Sequence, residues 1–415
     1  LKITSLALTI ILLIAAGCSQ PDGAVGSGIG TDSNGTARVI SAQVEADTSF
    51  IAESAGSGAS PHLYVGNAAE ITSTALISFS VKDMPPFWSI TSVIARLKLS
   101  YEGSIGDGRG LEIDLKLSDF IWDESDPPDW DSLYLVPFGP AFESIVVNDD
   151  SGKVDVLLPS QRVLDWIRAN DSSEVDTSEV DSLTPSPLTV MISAGDLVGP
   201  HDQLVRFRSR GAISDTLNPV RPELVLQFSL IDSSGLAVLD TELVSLSASK
   251  DAYILQNEWI DTGGNLIVGS GVNIRTNLKF DLSDIWQAQE DFHIVINRAT
   301  IMLHKVPDAD QTLPILPSLL PFKLIDELGF TFPDSAGEAA YVFVPTAIDS
   351  ASDTLQIIVT NPTVDWVQGS ELNFGVSLHS STQGLDINRS AYYSSSHVDS
   401  ALRPSLSVYY TEVPR

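Results

Sequence analysis

The feature that most constrains this chain is that it says the same thing twice. His62-Leu63-Tyr64-Val65-Gly66 recurs about 200 residues later as Asn265-Leu266-Ile267-Val268-Gly269, and its neighbourhood recurs with it. Upstream, Asp47 to Ile51 is answered by Asp251-Ala252-Tyr253-Ile254; downstream, Ile94-Ala95-Arg96-Leu97-Lys98-Leu99 is answered by Arg298-Ala299-Thr300-Ile301-Met302-Leu303. Val163-Leu164-Asp165-Trp166-Ile167 matches Thr363-Val364-Asp365-Trp366-Val367, and each half closes on Arg-Pro and an apolar run, at Arg221-Pro222 and Arg403-Pro404. Colinear matches at a nearly constant offset define an internal duplication. A short polar turn at Ser233-Ser234-Gly235 marks the junction, giving two domains over 38–236 and 237–415.

Each copy reads as strands. Short runs of Val, Ile, Leu, Phe and Tyr alternate with polar residues at period two and are punctuated by Gly, Pro, Asp and Ser, the pattern of half-buried strands in an all-β sandwich or barrel. The expected fold is two tandem antiparallel β-sandwich, jelly-roll-like domains, and 43% hydrophobic residues supply a core for both. Helical patterning is confined to Ser160–Asn170 and Asn361–Gln368, each with a start signal, Ser160 or Asn361 before Pro362, and a central Asp-Trp. Trp166 and Trp366 recur at the same point of the repeat, which argues for packing in the core.

The first residues carry an address. Lys2 is the one charge before an apolar stretch from Leu6 to Ala16, shorter than the roughly 20 residues of a membrane span and of signal-peptide length. Ile14-Ala15-Ala16-Gly17-Cys18 resembles a bacterial lipobox, with Ala15 where Leu is usual, so residues 1–17 are expected to be a lipoprotein signal peptide and Cys18 the lipidated N-terminus. The alternative is a signal peptide followed by an unmodified Cys. Residues 18–37, rich in Gly, Ser and Asp, read as a flexible tether. Ser19 after the Cys points to the outer membrane or cell surface.

Cys18 is the only Cys of 415 residues, which excludes a disulfide framework. The net charge of −31 is shared by the copies, −17 in 38–236 and −13 in 237–415. So acidic a chain lacks the basic footprint that nucleic acid or an anionic bilayer requires. Membrane contact is therefore expected through the lipid anchor, and no nucleic acid partner. The self-similar run from Asp171 to Asp181 reads as a solvated acidic loop or a set of metal carboxylates without a ligand spacing. Clustered acids leave room for structural Ca2+, and no cofactor is expected. No nucleophile elbow, zincin or phosphate-loop motif occurs, and six scattered His share no neighbourhood, so catalysis is not expected.

Aromatic faces beside planar polar groups are what sugar rings bind to. The richest such segment holds Trp122, Glu124 and Trp130 around Pro127-Pro128, which force an extended loop. Its tryptophans either offer faces to a ligand or fold back as a lid on the sandwich. Arg206, Arg208 and Arg210 alternate along a strand and would share a face. Either they grip a carboxylated or sulfated polymer or nearby Asp and Glu neutralise them. Trp88, after Pro85-Pro86-Phe87, and Trp286 at a similar place in the second copy are candidate exposed tips.

The order of these landmarks resembles the DNRLRE, or disaggregatase-related, β-sandwich domains of bacterial and archaeal surface proteins. The resemblance is carried by Trp122-Asp123-Glu124, Asp129-Trp130, Phe207-Arg208-Ser209-Arg210 and Arg221-Pro222 in the first copy, and by Phe280-Asp281-Leu282-Ser283 and Arg403-Pro404 in the second. It implies a carbohydrate-binding module. The second copy departs from it, with a Pro-Leu-rich stretch from Pro307 to Phe322 in place of the paired Trp segment and Tyr393-Ser394-Ser395-Ser396 where Phe-x-Ser-Arg is expected. The expected function is non-catalytic binding of extracellular or cell-wall polysaccharide, chiefly by copy one; the alternative is a structural or adhesive surface protein whose sandwiches mediate protein contacts.

Overall fold

The computed structural model describes residues 35–415 apart from 53–56, 69–70, 82–83, 86, 107–109, 148–151, 171–185, 196–202, 213–220, 233, 237–241, 258–263, 272, 308–316, 332–336, 340–345 and 350. Cys18, the signal peptide, most of the tether and the acidic run 171–181 lie outside the described residues.

The first copy runs β1 (Thr36–Ile51), β2 (His62–Ala68), β3 (Ile71–Phe79), β4 (Ile90–Gly106), β5 (Leu111–Ser118), α1 (Trp130–Tyr134), β6 (Glu143–Val147), β7 (Gly152–Leu158), α2 (Ser160–Ala169), β8 (Leu188–Ala194), β9 (Gln203–Arg208) and β10 (Glu223–Leu230). The second runs β11 (Glu242–Ser247), β12 (Lys250–Asn257), β13 (Leu266–Ser270), β14 (Ile274–Phe280), α3 (Ser283–Asp291), β15 (Phe292–His304), β16 (Ser318–Leu324), β17 (Glu338–Ala339), β18 (Thr346–Ala347), β19 (Thr354–Ile358), α4 (Thr360–Gln368), β20 (Val376–Ser380), β21 (Asn388–Tyr392) and β22 (Ser405–Pro414). The chain is all-β, folded into two antiparallel, sandwich-like halves.

Pairing repeats as the sequence does. In the first half β3 pairs β8, β8 pairs β5, β4 pairs β7 and β10, and β2 pairs β9. In the second, β14 pairs β20, β20 pairs β16, β15 pairs β19 and β22, and β13 pairs β21. Buried and outward residues alternate along β5, β7 and β10, whereas β13 and β20 are buried throughout. Ala75, Ile77 and Phe79 of β3 and Val190 and Ile192 of β8 meet Leu97 and Leu99 of β4 and Leu224, Leu226 and Phe228 of β10 in one core. Leu278, Phe280, Ala299, Ile301, Leu406 and Val408 build the second.

The halves exchange their first strands. Among the described residues β1 does not pair within its own copy: Thr36–Gln43 runs beside β22 and Val44–Ile51 beside β14, with a bulge between Val44 and Ala46 where the strand passes from one layer to the other. Reciprocally, β11 pairs β10 and β12 pairs β3. The polar turn before β11, in which Asp232 Oδ1 accepts from the N–H of Ser234 at 2.9 Å and of Leu236 at 3.0 Å, joins β10 to β11 as neighbours in one sheet. A third cluster, with Tyr64, Ile71, Leu204 and Tyr253 against Ile267, Ile274 and Ile387, joins the two halves. Ser60 Oγ donates to the carbonyl of Leu385 at 2.8 Å beside it, and the Tyr64 hydroxyl donates to Asp386.

Both expected helices are present, laid against β4 and β15. α2 starts after Pro159 without a side-chain cap, so Ser160 is its first residue and not its cap; α4 begins at Thr360, one residue before the expected start. α1 and α3 have no counterpart in the expectations. Trp166 and Trp366 are each 2% exposed, on the buried faces of α2 and α4.

Candidate functional site

The loop from Ser118 to Glu143 decides what the first half presents to solvent. It lies over the outer face of β12, β3 and β8, where Leu76, Met191, Ala252 and Ile254 would otherwise be exposed. Trp122 and Leu133 cover them, and Trp122, 6% exposed, donates its Nε1–H to Ser78 Oγ at 2.8 Å. Glu124 ties the loop down further: it accepts from the N–H of Asp251 at 3.0 Å and pairs with Arg210. The fit is tight, since a Cβ on Gly58 would come within 2.6 Å of the Glu124 carbonyl oxygen.

Beyond this seal the loop and sheet leave a groove of about 400 Å3. Its floor is the outward row of three strands: Thr72 and Thr74 of β3, Met191 and Ser193 of β8, and Lys116 of β5. Its wall is the loop, with Trp130, Leu133 and Phe138. α1 sets the wall, because Asp129 caps it by accepting from the Ser132 N–H at 2.6 Å and so fixes where Trp130 begins. Among the described residues, Lys116 is the one charged side chain lining this groove. Size, aromatic wall and a few polar groups on a rigid sheet are the properties of a small-ligand site.

The other residues singled out in the sequence lie elsewhere. Arg206 Nη2 donates to the Glu102 carbonyl at 3.1 Å, Arg208 pairs with the Glu102 carboxylate, and Arg210 pairs with Glu124. Arg206 and Arg208 do share a side, as the alternation requires, and Glu102 meets them there together with His62 at 2.9 Å. Burial pushes the Glu102 carboxyl up, but His62 and Arg208 outweigh it and hold it below its usual range. Trp88 is 59% exposed and Trp286 42%, the first between β3 and the long β4, the second between β14 and the long β15. The second copy's counterpart of Phe207-Arg208-Ser209-Arg210 is Tyr392-Tyr393-Ser394-Ser395, one residue earlier than expected. Leu63 pairs Phe207 as Leu266 pairs Tyr392, and buried Ser209 answers buried Ser394.

No known family model and no curated protein matches this chain.

Two buried charge groups escaped the sequence reading. Asp251 is 1% exposed and accepts from the N–H of Arg210; burial pushes its carboxyl up to about 7, with Glu124 adding to the rise and Arg210 opposing it. In the second half, His379 Nε2 lies 3.0 Å from Glu338, which is 3.3 Å from Arg275, and the imidazole stacks on Phe322. His62 with Glu102 and Arg208 repeats that trio, so a shared His neighbourhood does exist, between residues that are not repeat partners. Only spatial proximity shows it. Among the described residues, no three or more His, Cys, Asp or Glu are grouped to hold a metal ion, and no helix is long and apolar enough to cross a membrane.

Proposed function

We propose that this protein is a membrane-anchored surface lipoprotein that binds an extracellular or cell-wall polysaccharide non-catalytically, through the groove of its first sandwich. The observation that carries the reading is Trp130 standing beside Thr72, Thr74, Ser193 and Lys116 in one groove. An indole face packs on the C–H face of a pyranose, and hydroxyl and ammonium groups on the sheet meet its oxygens. Lys116, with no carboxylate among the described residues lining the same groove, makes a sugar carrying a carboxylate or sulfate acceptable there. The DNRLRE-like order of landmarks supports the same class of ligand. The anchor rests on Cys18 and the apolar run before it.

Affinity gels cast with acidic and neutral polysaccharides test the binding: at least one is expected to retard the protein, and retardation by none removes the reading. Labelled palmitate tests the anchor, with incorporation expected in the wild type and lost in Cys18→Ala; a labelled variant removes it.

A second reading, a structural or adhesive surface protein, is favoured by apolar side chains on the outward faces of equivalent strands. Ile94 and Leu243 are exposed in the first half, Val39 and Tyr409 in the second. Gels without retardation, together with self-association or capture that Leu243→Ser abolishes, would favour it.

A further inference from the structure

The second half has a groove of its own, lined by two side chains whose buried polar atoms find no hydrogen-bond partner among the described residues. Trp366 is 2% exposed, yet its Nε1–H has no hydrogen-bond partner among the described residues. Its repeat counterpart Trp166 is equally buried and donates to the carbonyl of Ser186 at 2.9 Å. The difference lies in the chain beyond each helix. After α4 the backbone turns through Gly369, at φ +71°, and among the described residues no carbonyl comes to the indole. Asn373 is in the same position: its Nδ2 donates to the Phe280 carbonyl at 2.8 Å, and its Oδ1 has no partner among the described residues. A buried donor or acceptor left unsatisfied loses the hydrogen bond that water gave it, so the fold keeps two such groups at a loss.

Both side chains line one groove of about 680 Å3, whose rim carries Trp286, 42% exposed. Donor, acceptor and an open indole face are the three things a sugar ring with vicinal hydroxyls uses, because each hydroxyl both donates and accepts. The charge of the groove narrows the class further. Glu45, Glu327 and Glu371 line it with Lys279; Lys279 is held 2.8 Å from Glu45 and Lys323 pairs with Glu371, so the charge left over is the Glu327 carboxylate. A uronic or sulfated sugar would face net negative charge there.

We propose that this groove is a second saccharide site, selective for neutral or amine-bearing sugars, with Trp286 as the stacking face, Trp366 Nε1 as donor and Asn373 Oδ1 as acceptor. The class of ligand rests on the saccharide reading of the first groove; the location does not. The second copy then binds at a place of its own, without the paired Trp segment of the first.

The test is an array printed with neutral, amino, uronic and sulfated glycans, probed with wild type, Trp286→Ala and Trp130→Ala. Trp286 sits on an exposed helical surface, so its removal is expected to leave the melting temperature unchanged. The expected result is that Trp286→Ala lowers binding of neutral or amino glycans at least tenfold and that Trp130→Ala does not. A second readout is the indole N–H resonance of Trp366, identified by its loss in Trp366→Phe, which is expected to shift when a bound glycan is added. If Trp286→Ala binds as wild type does while Trp130→Ala loses binding, the second site is wrong and the first stands. Binding through Trp286 of uronic or sulfated glycans alone overturns the selectivity. If wild type binds no glycan, both sites fall together.

Discussion

Asp251 and Asp47 hold the same place in the repeat, and each accepts a backbone hydrogen bond from the copy it does not belong to: Asp251 from the N–H of Arg210, Asp47 from that of Ser395 at 2.6 Å. The pair marks the seam where the two first strands change places. Their surroundings differ, because Asp251 also faces Glu124 while Ser395 Oγ donates to Asp47 at 2.9 Å.

Asp251 should make stability fall as pH rises. Its folded pKa, about 7, lies above the ordinary carboxyl value, so between roughly pH 4 and pH 7 the unfolded chain has lost a proton that the folded chain keeps. Unfolding is favoured over that window, by at most about 1.4 kcal/mol per pH unit. Asp251→Asn keeps an acceptor for Arg210 and removes the titration. Denaturant unfolding of both proteins from pH 4 to pH 8 should show the wild type losing stability relative to the variant, with little further change above pH 8.

Strand exchange predicts which half each strand supports. A chain from which 36–51 has been removed should keep the first half, including β11 and β12, and lose the folded second half, whose β22 and β14 are left unpaired on that side. Limited proteolysis should then spare 57–257 and digest 266–415, and a synthetic 36–51 peptide should restore protection. Digestion of the first half instead would place β1 in its own copy.

The two core tryptophans should respond unequally to Phe. Both substitutions remove similar volume, but Trp166→Phe also breaks the bond to Ser186, whereas Trp366→Phe removes a donor that has no partner among the described residues. Trp166→Phe should cost about 1 kcal/mol more, measured by chemical denaturation.

Trp122 and Trp130 divide structure from binding. Trp122→Ala opens a cavity under the loop and should cost about 3–5 kcal/mol, whereas the half-buried Trp130 should cost much less. Thermal melts of the two variants check this.

The duplication and the strands were legible because both are written in apolar periodicity and repeated landmarks. The exchange was not. β1 and β12 carry equivalent residues for equivalent seats, so the pattern is satisfied equally by pairing within a copy or across copies. The one-residue error at Tyr392-Tyr393 has a similar origin: two adjacent Tyr fit the aromatic position, and only the pairing of Tyr392 with Leu266 sets which points inward. Of the binding candidates, Trp130 was visible as an aromatic in a Pro-rich loop. Its partners Thr72, Thr74, Ser193 and Lys116 occupy outward strand positions where polar residues are ordinary, so nothing in the sequence sets them apart. The arginines were conspicuous in an acidic chain, but Glu102 and Glu124, the residues that meet two of them, are 106 and 86 positions away in the cases of Arg208 and Arg210.

The most direct test is the affinity of wild type and Trp130→Ala for the polysaccharide that retards the protein, measured by titration calorimetry. The dissociation constant is expected to be at least tenfold weaker in the variant, with a melting temperature lowered far less than in Trp122→Ala. Equal affinities would contradict that expectation, because the groove beside Trp130 would then not be where the polymer binds.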